Sequence, residues 1–226
     1  MAVDGQYPVT LRLAGRRCLV VGGGVVAARK VDGLRDAGAV VTVVAPEMCP
    51  ALEARTDVAL ARRAYRRGEV AGYWLAIAAT NDPGTNRAAF LDGEAAGVWV
   101  NGADDPANCS FTLPSVLRRG DLTVAVSTGG RSPALARWVR RRLAEELGPE
   151  FEALLDLLAD QRQAVLGQGG STEDLNWDTA IDDELLQLVR AGEMTSARQR
   201  LAARLRSSSA DQVSADQTSR EATCPS

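Results

Sequence analysis

Three consecutive glycines, Gly22, Gly23 and Gly24, separate a short apolar run from a segment with helical periodicity. In the G-x-G-x-x-G/A fingerprint, Gly22 would form the tight turn and Gly24 would let the backbone approach a pyrophosphate. Ala27 would allow the helix to pack closely on the strand. The amide groups of the first helical turn and the positive end of the helix dipole would then face the phosphates. The spacing predicts a dinucleotide site, with a purely structural glycine turn as the alternative.

The elements around the glycines are those that such a site requires. Residues 19–21 have the composition of a buried strand, and apolar residues then recur at helical spacing until Gly38. A second apolar run, 40–44, completes a βαβ unit. In that unit Val25 and Val26 begin the helix, so their backbone groups are candidate cofactor contacts.

The position that commonly distinguishes NAD from NADP departs from the fingerprint. A carboxylate for the adenosine ribose is expected about 20 residues after the glycines, at the end of the second strand. Ala45 and Pro46 occupy that end, Glu47 is the nearest acid, and no arginine follows directly to accept a 2′-phosphate. The fingerprint alone therefore leaves NAD and NADP equally open.

Further strands with polar ends extend the sheet. Residues 74–79 predict a strand that runs into Thr80 and Asn81, and polar turns at the carboxyl ends of strands line the ligand crevice in open α/β sheets. A helix capped by Thr85 is expected next. Additional strands are predicted over 58–61 and 98–100. The alternation of strands and helices predicts an α/β fold with a Rossmann-like parallel sheet.

The pattern changes after residue 110. Residues 111–117 and 122–127 predict a hairpin, and Ser132 with Pro133 starts a helix. An apolar stripe on that helix needs a partner surface, either the hairpin itself or, as we favour, a second copy of the chain. The stripe comprises Leu135, Trp138, Val139, Leu143 and Leu147.

The chain therefore divides into several predicted regions. After the hairpin and its helix come further helical patterns, and the end of the chain is poor in apolar residues and predicts a disordered tail. The expected regions are a nucleotide-binding domain over 1–112, a dimerisation region over 113–148, a helical region over 149–206 and the tail over 207–226.

Composition excludes several classes of function. With 226 residues, 46% of them hydrophobic, and a net charge of −3, the chain has neither the basic balance of a general nucleic-acid binder nor a stretch apolar enough to span a membrane. Its four cysteines lack metal-ligand spacing, and it has no histidine, which excludes histidine triads and histidine-ligated metals. We expect a cytoplasmic protein without a bound metal. Two arginine clusters, near residues 62–67 and 137–142, are either solvated faces or anion sites.

Six segments in unbroken order closely resemble precorrin-2 dehydrogenases, which include the N-terminal module of sirohaem synthase. The resemblance covers roughly residues 7–147 and weakens beyond residue 150. The segments are VGGGVVAARK at 21–30, VTVVAP at 41–46, LAIAATND at 75–82, VNGADDP at 100–106, SFTLPS at 110–115 and VAVSTGGRSP at 124–133.

This resemblance implies a reaction. Precorrin-2, a reduced tetrapyrrole with eight carboxylates, loses a hydride to NAD and a proton to give sirohydrochlorin in sirohaem biosynthesis. The resemblance also implies a homodimer, and some members of the family insert ferrous iron as well. Members share the missing acid after the second strand, which suggests that backbone groups near Ala45 and Pro46 hold the ribose.

By position, Asp104 matches the aspartate regarded as catalytic in the family. A carboxylate is a reasonable base in a chain without histidine. The segment is also rich in residues that form turns, so it could be only a loop, and Asp105 could be the base instead. Backbone amides and a guanidinium in the loop before Pro133 could bind substrate carboxylates, or the loop could be only a turn. These candidate substrate contacts are Ser127, Thr128, Gly130 and Arg131.

Two other functions stay open at this stage. The enzyme could combine dehydrogenation with iron insertion, although the lack of a tight metal site predicts weak or absent chelatase activity. Alternatively, the chain could be a non-catalytic regulatory module that senses NAD.

Overall fold

The chain folds as two compact units in a computed structural model that describes residues 5–173 and 175–206. The first unit contains the described residues up to Leu113 together with Ser127–Ser132. The second contains Pro114–Val126 and the described residues from Pro133 onwards. The predicted tail, 207–226, lies outside the described residues.

A five-stranded parallel sheet forms the centre of the first unit. The strand order is β3-β2-β1-β4-β5, so the chain crosses from one side of β1 to the other between β3 and β4. Val20 of β1 pairs with Val43 on one side and Ile77 on the other. This topology confirms the predicted Rossmann-like α/β fold. The strands are β1 (Arg17–Val21), β2 (Val40–Ala45), β3 (Ala59–Arg62), β4 (Leu75–Ala78) and β5 (Trp99–Gly102).

Both faces of the sheet are buried, which explains the continuous apolar runs in its central strands. Alternate residues of β1 point to opposite faces, so Val20 contributes to one hydrophobic core and Leu19 to the other. Val31 of the first helix belongs to the same core as Val20. The helices of this unit are α1 (Val25–Asp36), α2 (Pro50–Glu53) and α3 (Pro83–Ala96), with a 3₁₀ turn at Pro106–Asn108.

The start of α3 differs from the sequence prediction. Asp82, rather than Thr85, is the N-cap: its carboxylate accepts hydrogen bonds from the backbone N–H groups of Gly84 and Thr85. Pro83 occupies the first helical position, where its missing N–H costs nothing. The hydroxyl of Thr85 donates to the same carboxylate at 2.6 Å.

In the second unit, a hairpin of β6 (Ser115–Arg119) and β7 (Leu122–Val126) packs with α4 (Pro133–Glu146). The strand β6 begins later than predicted, because Phe111 packs against the core of the first unit instead. The predicted stripe on α4 is also unevenly buried. Val139, Leu143 and Leu147 are half-buried, whereas Leu135 and Trp138 are 50% and 52% exposed.

A helical cluster completes the second unit. Its core is made of leucines and small residues such as Leu157, Leu185 and Leu201, which are almost completely buried. Within the described residues, no helix is long and apolar enough to cross a membrane. The helices are α5 (Glu150–Gly167), α6 (Trp177–Ala180), α7 (Asp183–Arg190) and α8 (194–206).

Candidate active site

Gly22 makes a turn that only glycine can make. Its φ is +129°, and its N–H donates to the carbonyl of Val44 at 2.9 Å. A Cβ at this position would collide with the backbone carbonyl of Ala79 at the end of β4. The first glycine of the fingerprint therefore lets the chain leave β1 between the ends of β2 and β4.

Gly23 has a packing role that the fingerprint leaves unspecified. A Cβ here would overlap the carbonyl oxygen of Glu47, and the carbonyl of Gly23 accepts a hydrogen bond from the N–H of Cys49 at 2.7 Å. The turn after β1 thus lies directly on the segment after β2. The only sequence signal for this contact was a third glycine where the fingerprint tolerates any residue.

Gly24, in contrast, faces open space. A Cβ at this position would have no atom within 4 Å, and φ is −82°, a value that any residue adopts. Gly24 is the N-cap of α1, and no side chain caps the helix or places an acid in its first turn. The first amide groups of α1 are therefore left for an anion, with Val25 67% exposed and Val26 half-buried. This cradle fits a dinucleotide pyrophosphate.

The other candidate cofactor residues border the same turn. Ala45 ends β2 and is buried, while Pro46 and Glu47 after it are exposed. Exposed backbone and a carboxylate are therefore present where the fingerprint would place the ribose-binding acid. The structure brings these residues next to the glycine turn, because Glu47 packs on Gly23.

Thr80 and Asn81 follow β4 but differ in what they offer a ligand. The side chain of Asn86 binds Thr80 three times: it accepts from the Thr80 N–H and hydroxyl, and it donates to the Thr80 carbonyl. Asn86 itself is buried. Asn81 is exposed, and its side chain makes no hydrogen bond to any described residue. Thr80 therefore holds the loop in shape, and Asn81 is the freer side chain.

Asp104 lies in the loop that follows β5, in an uncommon backbone conformation. It has a φ of +60°, the only positive φ of a non-glycine residue in the described part of the chain. The side chain is exposed and accepts no hydrogen bond from a described residue. The N–H of Ala103 donates to the carbonyl of Ala78 at 2.8 Å, which places the loop against the end of β4.

Its neighbour Asp105 is committed to the structure of the loop. The side-chain NH2 of Asn108 donates to the Asp105 carboxylate, and the guanidinium of Arg87 from α3 donates to the side-chain oxygen Oδ1 of Asn108 at 3.1 Å. Cys109 donates to the backbone carbonyl of Asp105, and burial raises the pKa of its thiol. Of the two carboxylates left open by the sequence, that of Asp105 accepts a hydrogen bond from Asn108, whereas that of Asp104 accepts none from a described residue.

The loop between β7 and α4 contains the four candidate substrate contacts. Gly130 and its neighbour Gly129 both have positive φ, which makes the turn tight. The hydroxyl of Ser127 donates to the side chain of Gln6, and the Thr128 hydroxyl accepts from the N–H of Ser132. Arg131 is exposed. This loop clusters with the first unit, although it joins two elements of the second.

Comparison with known proteins agrees with this geometry. A family model described as NAD(P)-binding matches residues 9–115, and one for the central part of sirohaem biosynthesis proteins matches residues 119–146. The "Siroheme synthase" of Thioalkalivibrio sulfidiphilus is 38% identical over 200 residues, which are 86% of this chain and 41% of that protein. The solved structure of SirC, a precorrin-2 dehydrogenase, matches with a TM-score of 0.66 and 25% identity, covering 88% of this chain and all of SirC.

In these comparisons the chain is similar to sirohaem synthases and to a precorrin-2 dehydrogenase. The "Siroheme synthase" of Nitrosococcus oceani is another relative, 37% identical over 88% of this chain and 44% of its own length. The chain thus spans about two fifths of the length of the curated relatives that it matches. The glycine turn and the loop of Asp104 both lie within the NAD(P)-binding match.

Proposed function

We propose that this chain is an NAD-dependent precorrin-2 dehydrogenase that converts precorrin-2 to sirohydrochlorin. One observation carries the proposal. The end of β4 contacts both the glycine turn, through Gly22 and Ala79, and the loop of Asp104, through Ala78 and Ala103. A cradle for a nicotinamide cofactor and an unpaired carboxylate therefore border the same strand end, as a reaction that removes a hydride and a proton requires.

The proposed reaction removes two hydrogens from the tetrapyrrole. Precorrin-2 and NAD⁺ give sirohydrochlorin, NADH and a proton; the nicotinamide, when bound, is the hydride acceptor. Asp104 takes the proton on a carboxylate oxygen, which is available because no described residue donates to it. Gly24 and the first amides of α1 hold the pyrophosphate, and Asn81 is a further cofactor contact.

We propose NAD rather than NADP as the cofactor. The residues directly after β2 include no cation, and Arg62, which pairs with Ala45 from β3, is bound to Glu53 at 2.6 Å. The exposed carboxylate of Glu47 would repel a 2′-phosphate. Exposed backbone around Pro46 and the end of β2 at Ala45 would hold the ribose instead. The loop of Ser127, Thr128, Gly130 and Arg131 would bind carboxylates of the substrate.

We also propose a homodimer. Leu135 and Trp138 on α4 are half exposed, and the hairpin adds Val116, which is 38% exposed. Large apolar side chains that are about half exposed on one small unit are typical of a surface that another subunit covers. The guanidinium of Arg142 lies 5.9 Å from the centre of the Trp138 ring.

The decisive experiment supplies precorrin-2 with NAD⁺ under anaerobic conditions. We expect sirohydrochlorin and NADH to appear together in equal amounts, and NADP⁺ to support a much lower rate. Adding ferrous iron afterwards tests the weak or absent chelatase activity that the sequence predicts. Nucleotide binding without turnover of precorrin-2 would contradict the dehydrogenase and favour a regulatory module that senses NAD.

A further inference from the structure

Asp104 lies in a loop whose two ends are joined by hydrogen bonds next to β5. The N–H of Ser110 donates to the carbonyl of Val100 at 2.7 Å, and Asn101 forms an isolated antiparallel bridge with Cys109. The segment between these contacts is short and ends in the 3₁₀ turn. Because the Asp104 carboxylate accepts no hydrogen bond from a described residue, the backbone of this loop determines where it lies.

Three side chains form a hydrogen-bonded series that ends at the residue after Asp104. The guanidinium of Arg87, on α3, donates to Asn108 Oδ1 at 3.1 Å, and Asn108 Nδ2 donates to Asp105 Oδ2 at 2.5 Å. Asn108 is only 6% exposed, and Asp105 is half-buried. The backbone N–H of Asn108 also donates to the Asp105 carbonyl, at 3.1 Å. The neighbour of Asp104 is therefore fastened to α3 through Asn108.

The two outer groups determine how the amide between them is oriented. A guanidinium has only donors, and an ionised carboxylate has only acceptors. The oxygen of Asn108 must therefore face Arg87, and its NH2 group must face Asp105. A carboxylate at position 108 would still accept from Arg87, but it would have no proton to donate to Asp105 and would repel it.

We infer that Asn108 is a positioning residue: it holds the Asp105 carboxylate in the loop and leaves Asp104 as the one carboxylate that the substrate meets. The inference rests on the proposed function, because it takes Asp104 as the base. Hydrogen bonds to an ionised carboxylate are among the stronger ones in proteins. Asp104 has a φ of +60°, a conformation that persists only when its surroundings hold it. The hydrogen bonds on Asp105 supply that restraint at the next residue.

Asn108→Asp distinguishes positioning from packing, because it keeps the size of the side chain and its acceptor toward Arg87. Only the donor toward Asp105 is replaced, by a negative charge. We expect kcat for precorrin-2 to fall about 10- to 100-fold, since small misplacements of a reacting group have effects of this size. The affinity for NAD⁺ should stay within about twofold, because the glycine turn is unchanged. The matched control is Asn176→Asp in the second unit, where the side chain caps α6 and aspartate caps equally well. It should leave turnover unchanged.

The double variant Asp105→Asn/Asn108→Asp exchanges the donor and the acceptor. The amide at position 105 can then donate to the carboxylate at position 108, which still accepts from Arg87. We expect kcat to recover to within about threefold of the wild type, a coupling that residues in direct contact show. Recovery would also exclude Asp105 as the base, because its carboxylate is absent from this variant.

Arg87→Met tests the same series from its outer end. It alters an exposed side chain of α3 and removes the group that fixes the orientation of the Asn108 amide. We expect a fall in kcat of about three- to tenfold, smaller than that of Asn108→Asp because the hydrogen bond to Asp105 can still form. The affinity for NAD⁺ should again be unchanged. This variant decides the matter if the two variants at the buried position 108 do not fold.

The outcomes separate this inference from the proposed function. Wild-type kcat in a folded Asn108→Asp variant, no recovery in a folded double variant, or, where those proteins do not fold, wild-type kcat in Arg87→Met overturns the role of Asn108. Precorrin-2 turnover by the wild type would still support the dehydrogenase. If the wild type binds NAD⁺ but does not oxidise precorrin-2, the proposed function fails and the inference fails with it.

Discussion

Replacing Gly24 with aspartate should abolish cofactor binding and leave the fold intact. The new Cβ would meet no atom within 4 Å, and the φ of −82° suits any residue. Aspartate is also a good N-cap, worth a few tenths of a kcal/mol over glycine, and its charge complements the start of α1. The melting temperature should therefore stay constant or rise slightly.

The loss of affinity follows from what the side chain would displace. It would occupy the open space where a pyrophosphate would meet the amides of Val25 and Val26, and one lost hydrogen bond to a charged group costs about 1.5–3 kcal/mol. Repulsion between the carboxylate and a phosphate about 4 Å away adds about 1 kcal/mol if the dielectric constant is that of water and about 4 kcal/mol if it is that of a protein surface. Together these effects amount to at least about 2.5 kcal/mol and predict an affinity for NAD⁺ weaker by about 70-fold or more.

Titration calorimetry with NAD⁺, paired with thermal unfolding, measures both effects. Gly33→Asp is the matched control, since Gly33 also faces open space on the same helix but lies away from its start. It should bind normally. Gly23→Ala should instead lose about 1–3 kcal/mol of stability, because its Cβ would overlap the Glu47 carbonyl. Normal NAD⁺ affinity in a folded Gly24→Asp variant would refute the assignment of the cradle.

Three further predictions concern other parts of the chain. Asp104→Asn should fold and bind NAD⁺ normally but lose about 10²–10⁴ of the turnover of precorrin-2; Asp105→Asn should be milder, and the reverse order would make Asp105 the base. Leu135→Glu should yield monomers or insoluble protein, whereas a wild type that sediments as a monomer at micromolar concentration contradicts the dimer. The hydrogen bond from Arg200 holds the pKa of Asp182 in the folded protein below the value of about 3.9 in the unfolded chain. The stability that this hydrogen bond contributes is therefore present above about pH 3.9 and is lost as the pH falls through the folded-state pKa. Asp182→Asn should flatten the decline of the melting temperature on acidification below about pH 4, and a decline parallel to the wild type would contradict this.

Most of the Rossmann-like sheet was predictable because its signals are local. A fully buried parallel strand must be apolar throughout, and each strand is followed by a turn that the sequence marks with glycine or polar residues. The strand and the helix on either side of the glycine turn, including the helix start at Val25, were therefore predicted correctly. The predictions were wrong where a second residue or a long-range contact could replace the locally favoured one. Asp82 caps α3 in place of Thr85, and Phe111 packs into the core of the first unit instead of extending β6.

The candidate site was only partly accessible to sequence reasoning. The motifs and the resemblance singled out Gly24 and Asp104, but they did not separate Asp104 from Asp105. In the structure the two differ in their partners, because Asn108 donates to Asp105 and no described residue donates to Asp104, and Asp104 as the base stays a proposal.

The sequence by itself determined the parallel sheet, the glycine turn and the resemblance to precorrin-2 dehydrogenases, since these depend on apolar runs and on motifs that are read along the chain. The tertiary structure decided what depends on residues far apart in sequence. It set Gly23 against Glu47, left open space at Gly24, and brought the end of β4 to both the glycine turn and the loop of Asp104. Such contacts depend on the order of the strands in the sheet and on the packing of one backbone segment against another. Neither can be predicted from the spacing of residues along the sequence.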